Sequence, residues 1–392
     1  MSEPPDALPP LTGVRVLDLT RHIPGPFCTL MLADLGADVV KVEAPPFGDP
    51  ARAVPPAAGD DSAAHAALNR GKRSLVLDFR TEDGVAVVQR LAAGSDVLVE
   101  GFRPGVLTRR GLGPETLMAE NPRLIYCSLS GWGQQGPLAA RAGHDVNYAA
   151  RGGLLDLSRG ADGDVVVPGA QVADMTGGLL AATAILAALI ERQRTGRGRR
   201  LDVSLLSGML SLLTVPITRV LAGGPRRSEL SGDFACYTVY RCRDGRELSV
   251  GALEPKFWEA LCGALGLPEL VTSHWQAGER NTRARERLAA VFATRDRDEW
   301  VRDLGDLDGC VEPVLSPAEA LEGAQAEPLR LDQPDGAGGT LRTVGGVLGA
   351  AGLPLVAPRP APRLGEHTAE VLAELGFGRD DIERMAGAGA SA

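Results

Sequence analysis

Residues 14–42 read VRVLDLTRHIPGPFCTLMLADLGADVVKV, and this stretch decides the fold. VRVLDL (14–19) and VVKV (39–42) are short β-branched runs, and between them FCTLMLADLG (27–36) has a helical spacing of apolar residues that stops at a glycine. Strand, helix and strand in that order make a βαβ unit. The pattern continues outward: SLVLDF (74–79) is a strand, 82–93 a helix ended by Gly94, and DVLVE (96–100) a strand. A helix follows Pro104, and LIYCSLS (124–130) is a strand. Near-continuous apolar strands separated by helices imply a parallel sheet covered on both faces, so the fold class is α/β with a doubly wound large domain.

Beyond the sheet the chain changes character. Residues 131–173 are Gly-rich and irregular and contain GHDVNY; a loop of that length inside a compact domain is usually functional. Asp174 stands where an N-cap belongs, at the head of an apolar helix that runs to Gly196, and RRLDVSLLSGMLSLL (199–213) passes from strand to helix. Residues 236–253 predict a hairpin turning at Asp244-Gly245, followed by helices at 255–265, 281–294 and 297–304, which together make a smaller α+β domain. The expected organisation is a large domain over 1–221, a linker at 222–233, a small domain over 234–325 and a second linker at 326–363. A C-terminal helix within 364–392 then returns to the large domain.

A chain of 392 residues with 44% hydrophobic and 23% charged residues is globular and long enough for two cores. Asp and Glu outnumber Lys and Arg by 50 to 41, a net charge of −9, which argues against nucleic acid or a membrane surface as partner. The six cysteines form no CxxC pair and no ligand spacing with the five histidines, so reduced thiols in a cytoplasmic protein are expected and a zinc site is not. MSEPPDALPP lacks the positive flank and apolar core of a signal peptide. Two apolar uncharged stretches, 175–190 and 203–218, are 16 residues each, shorter than a membrane span, and read as buried core segments.

Common cofactor motifs are missing. TRHIPGP after the first strand has no GxGxxG, Gly71-Lys72 lacks the rest of a P-loop, and there is no GxSxG or HExxH. Three ionisable places remain. His144-Asp145 lies on the Gly-rich loop, where an Asp would fix an imidazole tautomer for proton transfer; a loop histidine bonded to backbone is the alternative. Asp174 is either an ordinary cap or a cap with function, since Gly177-Gly178 admits another backbone or a ligand and the free N–H groups of a helix start stabilise an anion. Glu254 precedes Pro255 at a helix start; next to Asp174 it would share a proton and raise one pKa. Basic candidates for an anionic ligand are Arg70, Lys72, Arg73, Arg80 and Arg103.

PGPFCTLMLADLGADVVKVE, NRGKRSLVLDFR, VLVEGFRPGVLTRRGLGPE, NPRLIYCSLSGWGQQGP and VADMTGG resemble the family III CoA-transferase superfamily, the CaiB/BaiF type, from Leu11 to the LGEHTAEVLAELGF tail. AGHDVNY and VGALEPKFW look like its α-methylacyl-CoA racemase branch. The resemblance implies an acyl-CoA substrate, no metal or organic cofactor, and a homodimer of interlocked subunits. It implies His144 and Asp174 as catalytic acid/base groups, Glu254 as support for Asp174, and Asp145 as the neighbour of the histidine. Leu77, Asp78, Phe79, Arg80, Gly143, Asn147 and Tyr148 match segments that contact the thioester, and Arg103 a CoA-binding arginine. Racemases often have a basic residue where this chain has Ala44, so one adenosine-phosphate contact is weaker or comes from Arg73.

Epimerising a 2-methylacyl-CoA removes the α-proton and returns one to the opposite face, which needs two acid/base groups; amides at the Asp174 helix start would hold the enolate oxygen. The rival is a CoA-transferase in which Asp174 attacks the thioester and carries acyl and then CoA. Transferases of the family tend to have a glycine run in a mobile loop of the small domain, and residues 223–270 have none, although DMTGG suits either branch. A non-catalytic acyl-CoA-binding protein would lose an acid/base position, and all three are present. The stretch 44–66 is the candidate for setting acyl length.

Overall fold

Successive residues of the first strand face opposite ways, and both ways are apolar. In the computed structural model Val16 packs with Cys28, Leu32, Val97 and Ile185 in one core, and its neighbour Leu17 with Val40, Leu75, Val87 and Leu98 in another. A strand buried on both faces must lie inside a covered sheet. The structure describes residues 8–160, 162–225, 230–335, 338–357 and 359–390. These divide into two compact units, one within Met1–Thr214 and Gln325–Ala392, the other within Val215–Ala324.

The first unit opens with β1 (Arg15–Leu19), α1 (Pro24–Asp34) and β2 (Asp38–Glu43). A small hairpin, β3 (Ala57–Ala58) and β4 (Asp61–Ser62), and α2 (Ala63–Asn69) lead to β5 (Arg73–Val76). Then come α3 (Glu82–Ala93), β6 (Val97–Glu100), α4 (Pro114–Glu120) and β7 (Ile125–Ser130). The helix expected after Pro104 starts only at Pro114, behind a 3-10 turn at Thr108–Arg110. The stretch 131–173 is not all loop: it holds α5 (Asp145–Gly152) and α6 (Leu154–Leu157). The helix α7 (Val172–Thr195), the strand β8 (Arg200–Ser204) and α8 (Leu205–Leu212) follow.

The six long strands are all parallel, in the order β5-β2-β1-β6-β7-β8. Strand order reverses between β1 and β6, and in an open α/β sheet ligands bind beyond the carboxyl ends of the strands at that point. α1 and α7 cover one face. A Cβ on Gly178 would stand 2.7 Å from the Pro24 carbonyl oxygen, and one on Gly177 would stand 2.3 Å from Leu205 Cδ2. The glycine pair therefore makes room for neighbouring helices, not for a ligand. By length and composition alone α7, 24 residues long with an 18-residue stretch of mean hydropathy 1.7, could cross a bilayer; Ala181, Ile185 and Ala188 are buried in the core instead.

The second unit runs through α9 (Thr214–Leu221), β9 (Tyr237–Arg241), β10 (Glu247–Gly251), α10 (Pro255–Ala264), α11 (Glu279–Phe292), α12 (Arg297–Leu304), β11 (Val311–Pro313) and α13 (Pro317–Glu322). Its three strands pair antiparallel, and Gly245 takes φ +79° at the hairpin turn. Trp258, Leu261, Leu288 and Phe292 form its core. Back in the first unit come β12 (Arg330–Pro334), β13 (Thr340–Val344), α14 (Val347–Ala350), α15 (Thr368–Glu374) and α16 (Arg379–Ala390). The stretch 326–363 is thus more than a linker: it carries a hairpin whose Gln333 amide donates to the Ala66 carbonyl at 3.2 Å. The tail is two helices, interrupted at Gly376 with φ +82°, and Val371 and Leu372 of α15 complete the second core.

Candidate active site

At the carboxyl ends of β1, β6 and β7 the chain leaves an open cleft of about 490 Å³. The turn after β1 contributes Thr20, Arg21 and His22, the turn after β6 contributes Phe102 and Arg103, and Trp132 follows β7. His144, Gly143, Tyr148 and Asp174 also line it.

His144 is the residue before α5, with extended backbone at φ −125°, and its N–H donates to Asn147 Oδ1 at 3.0 Å. The site histidine therefore sits at a helix start and not on an irregular loop, and Asn147 is spent on holding it. Asp145, the first helical residue, points elsewhere: its Oδ1 accepts the N–H groups of Ala173 at 2.7 Å and Asp174 at 3.0 Å. It caps α7 from outside that helix, a correction to its expected role as orienter of the imidazole.

Asp174 is the third residue of α7, not its cap. Val172 N–H donates to the Ala170 carbonyl and Met175 N–H to the Gln171 carbonyl, both at 3.0 Å. With Ala173 and Asp174 bonded to Asp145, the amides of this first turn are all engaged, so they are not the expected anion site. Burial, and then the neighbouring Asp145 charge, push the Asp174 carboxyl up to about 7, where it holds and releases a proton near neutrality. Tyr148 is buried, its ring edge-on to Trp132 at 4.7 Å and its hydroxyl donating to the Gly143 carbonyl at 2.6 Å. Gly131 has to be glycine because a Cβ there would stand 2.2 Å from the Tyr148 hydroxyl.

The protein is acidic, yet the cleft is not. Arg21, Arg103 and Arg141 line it against one carboxylate, and Arg21 also lies over the Phe102 ring at 5.1 Å. A concave site with that balance draws an anionic ligand. Arg21, His22 and Arg141 escaped the sequence reading; the available signal was the position of TRH immediately after β1, at the sheet's carboxyl edge.

Other expected residues lie elsewhere. Leu77 is buried in the second core, and Asp78 pairs with the exposed Arg80 at 2.8 Å. Phe79 meets Phe102, a residue of the cleft wall, edge-on at 5.7 Å. Arg73 is a correction: its guanidinium is taken by Asp38 at 2.7 Å, Glu370 at 2.9 Å and Glu374 at 2.6 Å, leaving no free face for a phosphate. It fastens α15 to the sheet edge. The stretch 44–66 lines no part of the cleft either, and Glu254 stands in the second unit, exposed, at the head of α10.

The sequence profile described as CoA-transferase family III matches residues 11–368. The chain is 37% identical to α-methylacyl-CoA racemase of Homo sapiens over 388 residues, 96% of each protein. It is 35% identical to succinyl-CoA:glutarate CoA-transferase of Mus musculus, over 97% of this chain and 90% of that one. A CAIB/BAIF family protein from Brucella suis, solved by crystallography, superposes with a TM-score of 0.81 and 33% identity, covering 94% of this chain and 100% of that one. This chain is a member of CoA-transferase family III, an enzyme family of acyl-CoA transferases and racemases.

Proposed function

We propose that the protein epimerises 2-methylacyl-CoA thioesters, with His144 and Asp174 as the two groups that exchange the α-proton through an enolate. The observation that carries this reading is the Asp174 carboxyl, raised to about 7 and lining the same cleft as His144. A group that titrates near the working pH is suited to proton transfer, whereas a nucleophilic carboxylate gains from staying ionised. With the amides at the start of α7 occupied, the enolate charge falls to Arg103 and Arg141 to offset. Glu254 keeps the supporting role that the resemblance implies. An interlocked homodimer in the cytoplasm is part of the same reading; the apolar Leu179, Ile190, Leu210 and Leu212, left exposed by α7 and α8, support a second copy there.

Transfer of CoA to a free carboxylic acid, with Asp174 as nucleophile, is the second reading. The similarity to a CoA-transferase over 97% of the chain favours it. One experiment separates the two. The protein is incubated in heavy water with a single epimer of a 2-methylacyl-CoA and no acceptor acid. Deuterium entering at C2, slowed by about 10²-fold or more in His144→Ala, is the expected result. CoA transfer to an added carboxylate without exchange would overturn the racemase reading.

A further inference from the structure

The chain has only three lysines, and two of them, Lys41 and Lys72, are fully buried beneath the cleft. Lys41 is in the middle of the apolar strand β2, where a charge is tolerated only with partners. Its ammonium contacts Asp49 Oδ2 at 2.9 Å, both side chains wholly out of solvent, and donates to the Thr20 carbonyl at 2.8 Å. Asp49 Oδ1 accepts the His22 N–H at 3.0 Å and the Ala51 N–H at 3.0 Å. One buried ion pair therefore grips the Thr20–His22 turn from both ends. Asp18 completes the hold, accepting the Thr20 N–H at 2.8 Å and the Thr20 hydroxyl at 2.5 Å.

The grip has a conformational consequence. His22 sits at φ +67°, a left-handed backbone that a residue with a Cβ adopts at a cost. Hydrogen bonds from buried charged groups are strong enough to hold it there. The turn ends β1, at the point where strand order reverses, and its imidazole lines the same cleft as His144 and Asp174. Behind Asp49, Glu43 Oε1 accepts the Asp49 N–H at 3.0 Å and the Arg52 Nε–H at 2.8 Å, so the clamp itself is anchored. The stretch 44–66 thus reaches the site from behind without lining it.

We infer that Lys41 and Asp49 are positioning residues that act through the Thr20–His22 turn and present the His22 imidazole to the bound CoA thioester. The inference rests on the reading of the cleft as an acyl-CoA site, and the test keeps the two apart. Free CoA is titrated calorimetrically into the wild type, into His22→Gly and into the charge-free double variant Lys41→Met/Asp49→Leu. A buried pair replaced by apolar residues commonly leaves a fold intact, and glycine takes a positive φ without strain. Both variants should bind CoA about tenfold more weakly than wild type and raise KM for the thioester about tenfold, with kcat changed less than threefold. Wild-type affinity and KM in His22→Gly overturn the proposal, even if the double variant does not fold. Should the wild type bind no CoA, the acyl-CoA reading fails on its own. The clamp is then judged by the His22 ring resonances in Asp49→Asn, which should move; unmoved resonances overturn it.

Discussion

Asp174→Asn should abolish exchange and at the same time make the protein more stable, increasingly so as pH rises. The folded carboxyl titrates at about 7, above the 3.8 of an ordinary carboxyl, so the folded state holds the proton more tightly than the unfolded one. Its contribution to stability is fully present below 3.8 and is lost as pH rises toward about 7. Asparagine has nothing to ionise and loses nothing. The full difference corresponds to about 4 kcal/mol at most. Because the side chain is only partly buried, water relaxes much of that, and a gain of about 1–2 kcal/mol above neutrality is the working figure. At ~2.1 cal/mol/K of unfolding entropy per residue over the whole chain, this raises Tm by about 1–3 °C.

Melting curves of both proteins near pH 4 and near pH 8 read this directly; the gap should be close to nil at the acid end and open at the alkaline end. Asp145→Asn is the internal check. Its amide oxygen still caps α7, while the charge that is the smaller of the two causes is gone, so the gap should close by less than half. A pH-independent gap, or a variant no more stable than wild type near pH 8, would refute the assignment of a buried, near-neutral carboxyl to Asp174.

Gly178→Ala drives a methyl to 2.7 Å from the Pro24 carbonyl oxygen and should cost about 2 kcal/mol in denaturant titrations, as α1 and α7 are forced apart; a cost near zero would show that their approach is not close. Arg73→Ala removes the guanidinium shared by three partly exposed carboxylates, two of which keep Arg15 at 3.3 Å, and should cost about 1–2 kcal/mol while leaving KM for the thioester unchanged. A raised KM would return Arg73 to the ligand set.

What could be read in advance divides along a physical line. The sheet was legible because its signals are local: short, near-continuous apolar and β-branched runs, a glycine stop at Gly94, an apolar helix ending at Gly196. The start of α5 was hidden because His144 is not a capping residue type and its support comes from Asn147, three residues on. Asp174 looked like a cap because an Asp before an apolar helix usually is one; here the capping carboxylate is Asp145, 29 positions earlier in the chain, and only the fold brings it there. Arg73 looked like a phosphate ligand for the same reason: two of its three partners arrive from residues 370 and 374. Lys41 is the instructive middle case. A lysine inside VVKV, in a strand expected to be covered on both faces, already demands a buried counter-charge. Which carboxylate answers, and that the answer grips the turn at the mouth of the cleft, is decided by Asp49, beyond the end of the strand, and depends on the path of the intervening chain. Local pattern thus states the electrostatic debt of a residue, and tertiary structure names the partner that settles it.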